Sequence, residues 1–164
     1  MKNIVKNSVA TLVALTVVNT PLLASTSHCN ANENVVFSCN TGKKVVSVCA
    51  SKAINAKSGY MQYRFGKLGN PEAIIPAKPE SFRQNAFYTE TIVGMGQRRI
   101  GYGLDFKNGP FSYYININTE YGGGTLSVYN KDKNIATLTC QEDNLLIDNI
   151  YIYNFEKIGV RIEN

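Results

Sequence analysis

Residues 35–49 read Val-Val-Phe-Ser-Cys-Asn-Thr-Gly-Lys-Lys-Val-Val-Ser-Val-Cys, two β-rich runs around a polar centre. Valine and phenylalanine suit a pleated, half-buried surface. Asn40-Thr41-Gly42 between the runs supplies the residue types that turns demand. The stretch therefore predicts a β-hairpin, with Val35–Cys39 as one strand and Val45–Cys49 as the next.

The same chemistry continues downstream. Tyr60–Phe65, bounded by Gly59 and Gly66, reads as a third strand. Asn70-Pro71, Pro76 and Pro79 then interrupt the chain. Proline has no amide to give a ladder, so loop or edge structure is expected there. Phe87–Val93, Arg99–Phe106, Phe111–Asn118, Thr125–Tyr129 and Ile135–Cys140 are all strand-like. Asn108-Gly109, Gly122-Gly123-Gly124 and Asn130-Lys131-Asp132-Lys133 are the turns that separate the last three from their neighbours. The tail, Leu145–Ile162 with its run Ile150-Tyr151-Ile152-Tyr153, reads as strand, with a short helix over Asn144–Ile150 as the alternative. Short strands with turn signals at this spacing predict an all-β fold, an antiparallel sandwich or a barrel-like domain.

The N-terminus carries a different signal. Lys2 and Lys6 give a positive start, Val9–Val18 is an almost unbroken apolar run, and Pro21-Leu22-Leu23-Ala24-Ser25 adds a break and small residues. These are the three parts of a secretory signal peptide. The run falls short of the roughly 20 residues that a transmembrane anchor needs. Cleavage is expected after Ala24, which divides the chain into a signal peptide (1–24), a flexible leader (25–34) and a single β domain (35–164). A lipid anchor on Cys29 is disfavoured, because Thr26 and His28 stand where a lipoprotein carries leucine and a small residue. The expected location is periplasmic or secreted, with no membrane span after cleavage.

Seventeen Lys and Arg against twelve Asp and Glu give a formal charge of +5. The cations are scattered, with only Lys43-Lys44 and Arg98-Arg99 adjacent. A nucleic-acid binder gathers them on one face, so no nucleic-acid partner is expected.

Cys29, Cys39, Cys49 and Cys140 are an even set, which in an oxidising compartment implies two disulfides. Zinc is the rival reading, but there is no CxxC pair and the only histidine is His28. If Asn40–Lys43 form the turn, Cys39 faces about Lys44, and Cys49 lies roughly 16 Å further along at about 3.3 Å per residue. Bridged Cα atoms lie within about 7 Å, so a tight hairpin disfavours Cys39–Cys49. The expected bonds are Cys39–Cys140 and Cys29–Cys49.

Catalytic chemistry has little to stand on. A nucleophilic triad needs a base, and His28 is the one histidine, in the expected leader. Four aspartates and eight glutamates would allow a carboxylate-pair hydrolase, but no local motif marks a pair. Gly94-Met95-Gly96-Gln97-Arg98-Arg99-Ile100-Gly101 matches neither phosphate-loop spacing and reads as a mobile or bulged connection. No enzyme activity and no cofactor are expected. Ten tyrosines without a tryptophan suit half-buried strands, protein contacts or a carbohydrate-binding face alike.

Phe37-Ser38-Cys39, Val128-Tyr129-Asn130-Lys131 and Ile135–Cys140-Gln141 give the chain a resemblance to the periplasmic inhibitors of c-type lysozyme. The chain also resembles the broad set of small exported Gram-negative β-proteins. The inhibitors are small β-barrel proteins with an early aromatic-x-Cys strand and a late strand ending in cysteine. The resemblance implies a Cys39–Cys140 bridge, in agreement with the pairing above. It departs at the inhibitory Ser-Gly-x-x-Tyr motif, since Ser58-Gly59 is followed by Tyr63, one residue further along.

The function expected is an exported binding protein that occludes a cell-wall-degrading enzyme, as a lysozyme inhibitor or a toxin immunity protein. Its partner would be that hydrolase or toxin. The candidate contact residues are Lys57, Ser58, Gly59 and Tyr60 in one loop, and Gly94, Gln97, Arg98 and Arg99 in another. The alternative is a structural or adhesive surface module whose edge strands pair with neighbours.

Overall fold

The computed structural model describes residues 26–93, 98–118, 123–141 and 154–162. The first half of the described chain forms a four-stranded antiparallel sheet in the order β1 (Glu33–Asn40), β2 (Val45–Ser51), β3 (Met61–Lys67) and β4 (Asn70–Ile75). The expected hairpin is its first pair. Its turn runs one residue later than expected: Thr41 donates to Lys44 O at 2.8 Å, and Asn40 pairs with Val45. Cys39 therefore faces Val46, three residues from Cys49, and about 10 Å still separates them along the strand. β4, which carries Pro71, is an edge strand, as the prolines require.

A short 3-10 turn (Pro79–Ser81) and one helical turn, α1 (Phe82–Asn85), lead to the second sheet. Its order is β10-β5-β6-β7-β8-β9, with β5 (Ala86–Val93), β6 (Arg98–Asn108), β7 (Phe111–Asn118), β8 (Gly124–Asn130), β9 (Lys133–Thr139) and β10 (Arg161–Ile162). All pairs are antiparallel except β10 on β5. The tail departs from the expected strand. Within its described part, Asn154–Gly159 is a turn closed by Ile158 N to Asn154 O, with Gly159 at φ +81, and only Arg161–Ile162 pair as strand. Ile150–Tyr153 and the alternative helix over Asn144–Ile150 lie outside the described residues.

The two sheets pack face to face on one core. Period-two alternation sends Val46, Val48, Met61 and Tyr63 inward from the first sheet, and Leu104, Phe106, Ile115, Ile117 and Leu126 inward from the second. Tyr63 joins the layers, with its ring centroid 5.9 Å from Phe106 and 5.2 Å from Tyr113. Phe155 closes the core at β5 and β6, 5.2 Å from Tyr88 and 6.2 Å from Tyr102. Cys29–Cys49 and Cys39–Cys140 are the two disulfides, as expected.

Residues 25–34, expected as a flexible leader, are built into the domain from Thr26 onward. Thr26 O accepts from Ser38 Oγ at 3.0 Å, His28 N donates to Ser47 Oγ at 3.0 Å, and Cys29 is bonded to β2. Ser38 and Ser47 lie on the outer face of the first sheet yet are fully buried, because this strap covers them. The sheet itself begins at Glu33 rather than at 35. No helix among the described residues is long and apolar enough to cross a membrane.

Candidate functional site

The β2–β3 connection holds the first four candidate residues. Its neck is closed by Ser51 N to Tyr60 O and by Tyr60 N to Ser51 Oγ, both 3.0 Å. Inside it, Asn55 Oδ1 accepts from Lys57 N at 2.9 Å and Ser58 N at 3.0 Å, while Asn55 Nδ2 donates to Ser58 Oγ at 2.6 Å. Asparagine favours turns for this reason: its side chain takes up the amides two and three residues on. Gly59 sits at φ +82, where a Cβ would come 2.4 Å from Ser51 Oγ and 2.7 Å from Ile54 Cα.

A second element fixes the loop from outside. Arg83, on α1, donates to Asn55 O and, at 2.9 Å, to Ser58 O. Its Nε donates to Ile158 O at 3.1 Å, and its guanidinium stacks 4.1 Å from the centroid of the fully buried Phe82 ring. Burial lowers the pKa of Arg83 from its ordinary value, though a guanidinium stays charged at any neutral pH. The result is a loop held at both ends and across the middle, with Lys57 and Ser58 exposed at its tip.

Tyr60 sits at the neck of the loop rather than at its tip. It is half-buried, and its hydroxyl donates to Glu33 Oε1 at 2.6 Å. That hydrogen bond, with burial, raises the hydroxyl's pKa. Tyr60 therefore anchors the loop to the scaffold, while Lys57 and Ser58 face outward. In the second loop, Gly94 and Gln97 lie outside the described residues. Arg98 and Arg99, read as part of a connecting loop, belong to β6 and pair with Val93 and Ile92. Arg83 meets the first loop just before β5 begins, and the β5–β6 connection leaves from its other end. Eight strand residues span roughly 23 Å, so Arg98 and Arg99, paired with Val93 and Ile92, lie far along β5 from the end that Arg83 adjoins.

Glu33, Arg64 and Arg83, which sequence reasoning passed over, frame the site. Glu33, Arg64 and Tyr60 form a buried polar cluster beside Cys29–Cys49. The Glu33 carboxylate and both sulfurs lie within 4.8 Å of one another, but the sulfurs are spent in the disulfide, which leaves no thiolate for a metal. The outer face of the second sheet carries a cavity of about 450 Å³ walled by Asp105, Tyr114 and Tyr129. Asn55-x-Lys57-Ser58-Gly59 was a readable turn signal; Arg83 had none, being 25 residues or more from the two loop carbonyls it holds.

Fold and site together define an all-β, doubly disulfide-bonded scaffold that presents one braced basic loop. Comparison with known proteins finds no match to this chain among family models, curated sequences or solved structures.

Proposed function

We propose that the chain is an exported binding protein whose β2–β3 loop occludes the cleft of a cell-wall-degrading enzyme, acting as a lysozyme inhibitor or a toxin immunity protein. The supporting observation is the Arg83 brace on Asn55 O and Ser58 O, which orders the loop before any partner arrives. A pre-ordered loop loses little conformational entropy on binding, and that saving appears directly as affinity. Its exposed tip carries Lys57. Glycoside hydrolases work with a pair of carboxyl groups about 5–9.5 Å apart, and a lysine entering such a cleft meets opposite charge. Export is supported by the N-terminal residues and by the two disulfides, which persist in oxidising compartments.

The test is to titrate the full chain, expressed with its own N-terminal segment and recovered with both disulfides, into c-type lysozyme and into secreted wall hydrolases. Lytic activity should fall to zero at one equivalent with one of them. Lys57→Glu should then weaken inhibition by about tenfold or more. Undiminished lysis by every hydrolase at excess protein would sink the reading. A structural module is the second reading, supported by β9, an edge strand with Ile135 exposed. Its mark would be self-association that a proline in β9 abolishes.

A further inference from the structure

The outer face of the six-stranded sheet has a chemistry of its own, remote from the β2–β3 loop in the chain. Alternation that buries Tyr102, Leu104 and Phe106 leaves Gly103, Asp105 and Lys107 outward on β6. On β7 the outward residues are Ser112, Tyr114 and Asn116, and on β8 Thr125, Ser127 and Tyr129. These nine residues include hydroxyls, amides, charges and aromatic rings, and no aliphatic side chain.

Two residues give the face its shape. Tyr114 pairs with Asp105, and its ring lies across the neighbouring Gly103. A Cβ on Gly103 would sit 2.3 Å from the Tyr114 hydroxyl and 2.7 Å from its Cε2. The hydroxyl reaches Thr89 Oγ1, 3.3 Å away on β5. The ring thus lies over the Gly103 backbone, and Tyr114 also lines an open depression of about 450 Å³. Asp105 forms the floor, only 4% exposed, with Ser112 Oγ donating to it at 2.5 Å and Lys107 Nζ 3.6 Å away. Tyr129 is diagonal to Tyr114 on the next strand and makes the facing wall.

Charge and polarity select the ligand. Lys107 and Lys131 are balanced by Asp105 and Asp132, so the cavity favours neither an anion nor a cation. A charged floor and rim disfavour a purely apolar guest. What fits is a neutral ring with an apolar face and a hydroxyl edge. Asn116, Thr125 and Ser127, outward on β7 and β8, supply the amide and hydroxyls that such an edge would meet. The volume lies within the range of about 300–1,000 Å³ typical of small-molecule sites. A second cavity of about 360 Å³ lies further along β7 and β8, at Asn116, Asn118, Thr125 and Thr139, with Gly123, Gly124 and Cys140 also in its lining. From Ser112 to Asn118 the strand runs roughly 20 Å, the reach of a short chain of such rings.

We propose that this face is a binding site for a neutral oligosaccharide, with one sugar ring stacked on Tyr114 and its hydroxyls met by Ser112 and Asn116. The site is independent of the inhibitory loop and stands if that reading fails.

The test is titration of the 15N-labelled full chain, disulfides intact, with chitotetraose, cellotetraose and, as a charged control, tetragalacturonate, followed by amide shifts. Saturable shifts over Ser112–Asn116 and Thr125–Tyr129 are expected with at least one neutral sugar. Chitotetraose alone would point to wall amino sugars, and cellotetraose to plain hexose polymers. Tyr114→Ala should weaken binding by about tenfold, and Tyr114→Phe, which keeps the ring, by less than about threefold. Should the alanine variant unfold, Tyr129→Ala supplies the same comparison. No saturable shift with either neutral sugar, shifts elsewhere only, or tighter binding of tetragalacturonate would overturn the proposal.

Discussion

Glu33 has a side chain with no exposure to solvent and yet carries a charge, and four donors explain how it keeps that charge. Arg64 grips it in a fork, Nη2 to Oε1 at 2.5 Å and Nη1 to Oε2 at 2.8 Å. Tyr60 and the amide of Asn30 supply the others, at 2.6 Å and 2.7 Å. Burial alone would raise the carboxyl's pKa; the hydrogen bonds from Arg64, Tyr60 and Asn30 outweigh it, and the pKa is lowered. A folded-state pKa below the unfolded one means that the unfolded chain binds the proton better. The stabilisation is then complete above the unfolded value, near about pH 4.3, and drains away as pH falls through the folded one. Glu33→Gln should cost about 3 kcal/mol at neutral pH by leaving Arg64 without its counter-charge. Urea denaturation at about pH 7 and about pH 3 checks this, since the gap between variant and parent must narrow in acid. An equal gap at both would mean that the carboxylate's charge is irrelevant. Tyr63 presents the opposite case. Its hydroxyl is buried without a hydrogen-bond partner among the described residues, and burial pushes its pKa up. An unsatisfied buried hydroxyl costs about 1–3 kcal/mol, so Tyr63→Phe should raise the melting temperature rather than lower it.

Among the elements, the β2–β3 loop depends most on a residue outside itself. Arg83→Ala deletes the donors to Asn55 O and Ser58 O together with the stack on Phe82. The expected result is amide exchange at Lys57–Gly59 faster by about tenfold or more, with exchange in β6 and β7 unchanged. Arg83→Lys should behave nearly as badly, because an ammonium cannot reproduce the planar fork. Unchanged exchange in both variants would show that Asn55 alone holds the loop. The contrast also marks what the chain's order discloses. Hairpins announce themselves locally, and Asn40-Thr41-Gly42 and Asn108-Gly109 place their turns to within a residue or two. The strap over Thr26–Asn30 does not: its polar composition resembles a solvated leader, and partners distant in sequence, Ser38, Ser47 and Arg64 among them, satisfy that polarity. A serine at an outward strand position reads the same whether water or a strap covers it. The sugar-sized cavity was half legible for a similar reason. Tyr114 and Asp105 are visible as outward positions, but the flat ring requires Gly103 on the neighbouring strand.

For the molecule as a whole, the chain folds its first half into one sheet and its second half into the other, each strand from β1 to β9 pairing with a sequence neighbour within its sheet. Local hairpins therefore build both layers, and what remains is to hold the layers together. Among the described residues the shared core around Tyr63, the Arg83 brace linking Asn55 O and Ser58 O to Ile158 O, the Gln141 amide on Asn40 O at 2.8 Å, and Cys39–Cys140 do so. The second disulfide, Cys29–Cys49, only ties the strap to its own sheet. Closing a loop in the unfolded chain removes more entropy the longer the loop, and the two bonds span 101 and 20 residues. In the chain-entropy account the longer is worth about 4.7 kcal/mol and the shorter about 3 kcal/mol. Replacing Cys39 and Cys140 by alanine should therefore cost about 1–2 kcal/mol more than replacing Cys29 and Cys49. Denaturant melts of the two double variants, with their m-values, decide the order. If the Cys29–Cys49 variant is the weaker, the strap's polar network under Glu33 and Arg64 contributes more than loop closure does. The N-terminal residues would then rank among the chief supports of the fold, since their release would uncover Ser38, Ser47 and an ion pair built for burial.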